Sequence, residues 1–131
     1  MTETESGTRI TQVGTVIVPV TDQDRALEFY IDKLGLEKRV DLPYREDSRW
    51  IEVAPPGAAT TVALVPPMEG KSAGIDTNIS FTTEDVEADH VELRARGVDA
   101  DEEIMRFGGP VPPMFFARDP DGNRFLVVER D

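Results

Sequence analysis

The spacing of hydrophobic residues changes several times along the first half of the chain. β-Branched residues run almost without interruption over residues 13–20, which predicts a strand covered on both faces. Apolar residues then recur at helical spacing over residues 22–33, until Gly35 supplies a stop. Three further runs have the composition of strands: 36–42, 49–54 and 60–65. The first half therefore predicts a βαβββ module.

The second half repeats this order after a connector rich in proline and glycine at residues 66–72. It predicts a strand at 77–82, a helix at 83–96 ended by Gly97, and strands at 98–105, 113–118 and 124–129. Residues 15–22 also align with residues 78–85, 63 positions later. Such self-similarity predicts one α+β domain of two modules, about residues 10–66 and 75–131, preceded by a polar, disordered tail at 1–9.

Composition and charge narrow the classes of partner. A chain of 131 residues fits a single domain, and it contains no apolar run near the about 18 residues of a membrane span. Its polar, acidic N-terminus indicates a cytoplasmic protein without membrane attachment. The absence of cysteine excludes disulfides and thiolate nucleophiles. A net charge of -12 argues against nucleic acid as a partner, and it serves either solubility or the attraction of cationic ligands.

Three segments together resemble a known family: VPVTDQDRALEFYIDKLGL, ISFTTEDVEADHVELRARGV and RDPDGNRFLVVE. Their signatures DxxRAxxFYxxxLG and RDPDGN are similar to those of the vicinal oxygen chelate superfamily, which includes glyoxalases, bleomycin-resistance proteins and extradiol dioxygenases. The resemblance implies that the two modules form an incomplete barrel with an enclosed cavity for a small-molecule ligand. It also implies a homodimer, and leaves open whether the modules pair within a chain or between chains.

The resemblance further implies four cavity positions where metal-dependent members carry their ligands, and here these are Thr15, Ala63, Asn78 and Leu126. Alanine and leucine cannot bind a cation, and threonine and asparagine offer only weak neutral oxygens. We therefore expect no metal and no other cofactor. The sole histidine, His90, falls in the second predicted helix and is expected to be a solvated surface residue.

The strand at 49–54 contains the candidate catalytic residue, Glu52. Strand alternation places Glu52 and Trp50 on one face. On a cavity face the carboxylate would be a general base or a cation anchor, whereas on an outer face it would be merely solvated. Residues 106–116 combine glycines, prolines and aromatic residues, which fits a mobile lid or a rigid hairpin loop with a buried phenylalanine. The candidate pocket comprises Thr15, Tyr44, Trp50, Glu52, Ala63, Asn78, Phe107, Met114, Phe116 and Leu126.

Two functional hypotheses follow. In the first, the chain is a metal-free protein of the bleomycin-resistance type that sequesters or carries a small apolar or cationic molecule. In the second, it is an enzyme: either a metal-independent isomerase or lyase using Glu52 or Tyr44, or a glyoxalase- or dioxygenase-like metal enzyme with unusual ligands. The motif at 119–123 consists of turn formers and is interpreted as structural, as is Asp22 at the start of the first helix.

Overall fold

Each half of the chain folds as one strand, one helix and three strands in the computed structural model, which describes residues 7–130. The predicted disordered tail lies mainly outside the described residues. The elements of the first module are β1 (Thr15–Pro19), α1 (Gln23–Glu28), β2 (Glu37–Tyr44), β3 (Ser48–Ala54) and β4 (Thr61–Val65). Residues Phe29–Lys33 continue α1 as a π-helical turn, so the predicted helix at 22–33 is confirmed.

The second module repeats the order with β5 (Asp76–Thr83), α2 (Val86–Ala95), β6 (Asp99–Ala100), β7 (Met114–Arg118) and β8 (Arg124–Glu129). The predicted strand at 98–105 is wrong beyond Ala100, apart from one bridge between Met105 and Met114. Consecutive acidic residues at 101–103 explain the early end, because like charges favour a solvated loop over a paired strand. The α+β fold with two βαβββ modules is confirmed.

The two modules build equivalent open sheets, in the orders β1-β4-β3-β2 and β5-β8-β7-β6. Their helices also begin alike: the carboxylates of Asp22 and Asp85 accept hydrogen bonds of 3.0 Å from the backbone N–H groups of Arg25 and Ala88. These bonds satisfy donors that the first turn of a helix leaves unpaired. The two caps lie 63 positions apart, so the internal repeat and the role of Asp22 are confirmed.

One face of each sheet packs into a single core shared by both modules. Val18 and Leu64 of the first sheet and Phe115 and Phe125 of the second belong to it, and Phe29 of the π-helical turn meets Phe125 at 6.4 Å between ring centroids. The other face of each sheet turns away from this core. Each outer face can therefore form only one wall of a cavity, and the core does not supply the other walls.

The outer face of the first sheet overturns one prediction. β1 is not covered on both faces, because Ile17 on its outer face is 45% exposed while Val18 on its core face is fully buried. The strand buried along its whole length is β4, which lies between β1 and β3 and has small or β-branched side chains. An apolar run occurs both in strands that are covered on one face and in strands that are covered on both faces. The neighbours of a strand in the sheet decide which of the two it is.

The turn at 119–123 ties the second module to the first. Tyr30 donates to the buried carboxylate of Asp119 at 2.9 Å, and the side-chain amide of Asn123 donates to the Pro19 carbonyl at 2.8 Å. The Asn123 side-chain oxygen accepts from the N–H groups of Gly74 and Ile75. Burial and the neighbouring Asp119 raise the pKa of Tyr30 well above its ordinary value. The turn thus has the structural role that its composition predicts.

Candidate functional site

The outer face of the first sheet, here called the open face, gathers half of the predicted pocket residues. Cross-strand pairing aligns Ile17 with Ala63, and Ala63 with Glu52. Residues directly opposite one another project from the same side of a sheet. Thr15 and Trp50 lie two positions from Ile17 and Glu52 along their strands, so they share this face. The face opposite the core is therefore the one that carries Glu52.

A line of hydrogen bonds runs across the open face. The Trp50 indole N–H donates to Glu52 Oε2 at 2.7 Å, and the Thr61 hydroxyl donates to Glu52 Oε1 at 2.8 Å. The Thr15 and Thr61 hydroxyl oxygens are 2.9 Å apart. With the single Thr61 proton directed at Glu52, Thr15 is the donor in that pair. These bonds fix the position of the Glu52 carboxylate on the sheet.

Aromatic and apolar side chains surround this polar line. Tyr44 and Trp50 meet edge to face with ring centroids 5.3 Å apart, a favourable aromatic geometry. They line a depression of about 280 Å³ that also includes Ile17 and Met68. Ile17 and Met68 continue into an adjoining, more apolar depression of about 460 Å³. Such volumes and linings are typical of small-molecule sites, although both depressions are open on one side.

The outer face of the second sheet carries three other predicted residues. Phe116 pairs with Leu126 across β7 and β8, and Met114 lies two positions from Phe116. The Arg124 guanidinium lies 3.9 Å from the centroid of the Phe116 ring and also pairs with Asp76. A cation is thus already placed over the aromatic ring here. Within one chain these residues form a surface separate from the open face.

The last two predicted pocket residues lie elsewhere. Asn78 occupies an irregularity in β5, where its φ of 60° is left-handed and the pairing with β8 shifts register. It lines a depression of about 610 Å³ together with Val16 and Thr60 of the first module. Phe107 lies in the loop before β7 and is 60% exposed. Phe115 is fully buried, as the hairpin-loop alternative for this segment predicts.

His90 is not the solvated surface residue that the sequence predicts. Its Nε2 lies 2.7 Å from the backbone carbonyl oxygen of Asp101, and its ring packs edge to face on Phe115 at 4.9 Å. It is half-buried between α2 and the second sheet. The local sequence does not mark this environment, because the partners of His90 come from β7 and from the residue after β6. His90 therefore packs the second module and lies away from the open face.

The four residues predicted to stand at the family's metal positions do not form a donor set that fits a divalent ion. Ala63 is fully buried with a methyl side chain, Leu126 is apolar, and the Thr15 hydroxyl is engaged with Thr61. Asn78 is displaced by the irregularity in β5. Among residues 7–130, no three histidine, aspartate or glutamate side chains come together as a metal site. The chemistry of this face rests on its own side chains.

Sequence reasoning missed Ile17, Thr61 and Met68 at the open face, and also Leu42 opposite Trp50. Ile17 and Thr61 follow the same strand alternation as Thr15 and Ala63, so the pattern contained a signal for both. Met68 lies in the connector after β4, and no periodicity marks it. Its contact with the face depends on the path of that connector over the sheet edge.

The sequence comparisons agree with this architecture. Residues 10–127 match the model of a family described as the glyoxalase/bleomycin resistance protein/dioxygenase superfamily. The chain belongs to this superfamily. The predicted membership is therefore confirmed. None of the helices within residues 7–130 has the length and apolar character needed to cross a membrane. The cytoplasmic location stays a prediction.

Three known proteins show clear similarity to most of this chain. TnmS3, an antibiotic binding protein from Streptomyces sp. CB03234, is 32% identical with a TM-score of 0.83, over 95% of this chain and 99% of that chain. A superfamily member from Sphaerobacter thermophilus DSM 20745 is 37% identical with a TM-score of 0.85, over 92% and 98%. The uncharacterized Bacillus subtilis (strain 168) protein YetH is 35% identical over 92% of this chain and 99% of its own length.

Proposed function

We propose that this protein binds a small apolar or cationic molecule on the open face of the first sheet, without a metal ion, and so sequesters or carries it. The observation that supports this most directly is the aromatic pair Tyr44 and Trp50, which stands at the edge of a depression lined by Ile17 and Met68. A relative at 32% identity is an antibiotic binding protein, which is the same class of function.

The exposure of the face agrees with a binding role. Leu42, opposite Trp50 in the sheet, is 59% exposed, and Met68 is 56% exposed. Large apolar side chains grouped on one surface lose contact with water when a ligand or a partner covers them. An apolar ligand body on this face gains about 25 cal/mol for each Å² of apolar surface that it buries.

A homodimer is the assembly that we propose, because the open face is not covered within the chain. A second copy would convert the open depressions into a more enclosed cavity, as the family resemblance implies. Replacement of Leu42 by aspartate should then lower the fraction of dimer in sedimentation velocity. The control is Val91→Asp, which places the same charge at a 68% exposed position on α2. A wild-type chain that stays monomeric at all concentrations would contradict the dimer.

The binding proposal can be tested through the sole tryptophan of the chain, Trp50. Its indole N–H gives a single signal in a ¹H–¹⁵N NMR spectrum, and 2-naphthylmethanol serves as a neutral aromatic probe. We expect the probe to shift this signal in a saturable way in the wild type. Ile17→Asp should abolish the shift by placing a charge in the depression, whereas Val91→Asp should leave it unchanged. Equal probe affinity in both variants would contradict a site on the open face.

A further inference from the structure

The Glu52 carboxylate is held in place by neutral donors only. Trp50 and Thr61 supply one hydrogen bond each, and neither group carries a positive charge. The ion pairs formed within residues 7–130 do not include Glu52. The side chain is half-buried, which limits the screening of its charge by water. Its negative charge is therefore positioned but not neutralised.

Nearby cations are engaged with other groups. Arg49 of the same strand bonds to Asp41 and Asp24, and these bonds raise its pKa above the ordinary value for arginine. Arg45, on the turn before β3, lies over the Tyr44 ring at 5.2 Å from the centroid. Lys71 lines the adjoining depression without coming within ion-pair distance of Glu52. The first module thus pairs its strand arginine elsewhere and leaves this carboxylate for another partner.

The carboxylate also keeps unused acceptor capacity. Its two oxygens offer about four lone-pair sites, and the chain fills one on each oxygen. The same indole that donates to Glu52 also presents a π face that attracts a cation, whereas the Tyr44 ring already has the Arg45 guanidinium over it. A protonated amine held at Glu52 would thus meet a full negative charge beside the Trp50 indole. An uncharged hydroxyl in the same place would meet only an ordinary acceptor.

From this geometry we infer that Glu52 is the charge-recognition residue of the open face, and that the ligand combines an aromatic or apolar body with a protonated amine. The inference rests on the proposed function, because it needs the open face to be the ligand site. The body lies against Trp50, Tyr44 and Ile17, and the ammonium group donates to Glu52. Thr15 and Thr61 act as positioning residues that keep the carboxylate oriented.

The test compares two probes of the same shape, 2-naphthylmethylamine, which is protonated at neutral pH, and 2-naphthylmethanol. Affinities are measured from the Trp50 indole signal and by calorimetry. A charge-assisted bond should make the amine bind about tenfold more tightly or better in the wild type. In Glu52→Gln this preference should fall to about twofold or less, since the shape and both neutral donors remain.

The matched control is Glu103→Gln, which removes the same charge from an exposed residue in the loop after β6 of the second module. It should keep the amine preference. Equal binding of both probes to the wild type overturns the inference while the proposed function stands. A preference that survives in Glu52→Gln also overturns it and assigns the effect to the general field of an acidic protein. Failure of both probes to shift the indole signal counts against the binding site itself.

Discussion

The outer faces of the two sheets descend from the same arrangement of strands but carry different chemistry. On the first sheet, Trp50 is accompanied by an unpaired carboxylate, and the aromatic pair borders an apolar depression. On the second, Arg124 covers Phe116 and is itself paired with Asp76. Each face contains one cation–aromatic contact, since Arg45 lies over Tyr44 on the first, but within residues 7–130 no cation lies over the Trp50 ring. The two faces of the duplicated scaffold thus differ in whether their carboxylate is neutralised by an arginine of the chain.

The largest expected difference between the modules lies in the turns before their last strands. Asn123 is fully buried and links the modules, whereas Thr60, 63 positions earlier, makes one exposed hydrogen bond to the Val13 carbonyl at 2.7 Å. Asn123→Ala should lower the free energy of unfolding by about 3 kcal/mol, because several buried groups lose partners. Thr60→Ala should cost about 0.5–1 kcal/mol. Urea denaturation measures both losses of stability. Equal losses would contradict the interpretation that only the turn of the second module links the two modules.

A ligand should distinguish the two faces next. Trp50→Ala removes ring contact and the donor to Glu52, so we expect the affinity for 2-naphthylmethylamine to fall about tenfold or more, in line with loss of a buried aromatic contact. Phe116→Ala on the second face should change it by less than about twofold, since that ring is covered by Arg124. Calorimetry measures both variants. A larger loss in Phe116→Ala would move the site to the second sheet.

Acid should weaken the aspartate–arginine ion pair that each module contains, and this effect on stability should be smaller. Hydrogen bonds from Arg49 and Arg118 hold the pKa values of Asp41 and Asp99 below their ordinary values. A lowered folded-state pKa stabilises the fold above the unfolded value, about 3.9, and this contribution is lost as pH falls through the folded-state pKa. Asp41→Asn and Asp99→Asn should therefore cost stability at pH 7 and progressively less below pH 4.

The two replacements should differ in size. Asp99 is 70% exposed at its side chain, whereas Asp41 is 22% exposed and bonds to Lys38 as well. Solvent screens the more exposed pair, so each effect should stay below about 1 kcal/mol, with Asp99→Asn the smaller. Thermal unfolding at several pH values measures the difference. A cost that grows on acidification would contradict the assignment of these pairs.

The smallest expected effect concerns metal ions. We expect Zn²⁺, Ni²⁺, Mn²⁺ and Fe²⁺ at micromolar concentration to leave the unfolding midpoint of chelator-treated protein unchanged. An ion that binds only the native state and is present at 100 times its Kd would instead raise the free energy of unfolding by about 2.7 kcal/mol. The unfolding midpoint would then rise by an easily measured amount. Such a rise with any one ion would show that the protein binds that ion despite the side chains at the four predicted metal positions.

Local patterns predicted a large part of this molecule. The strand and helix order, the role of Asp22 at the start of the first helix and the turn at 119–123 depend on residues close together in sequence, and the structure contains all of them. Predictions that needed knowledge of neighbours were less successful. The coverage of β1 and the environment of His90 were wrong, because the strands and side chains that decide exposure come from distant parts of the chain.

The sequence by itself determined that two similar modules would form, because spacing, capping residues and turn formers act over a few residues. The resemblance in the sequence also led to the prediction that Thr15, Ala63, Asn78 and Leu126 stand at the family's metal positions. Only the tertiary structure decided that Glu52 lies on the face opposite the core and accepts hydrogen bonds from two neutral donors. One of these, Thr61, comes from the neighbouring strand and is oriented by Thr15, 46 positions away. Sheet pairing brings these groups together, and no local pattern specifies it.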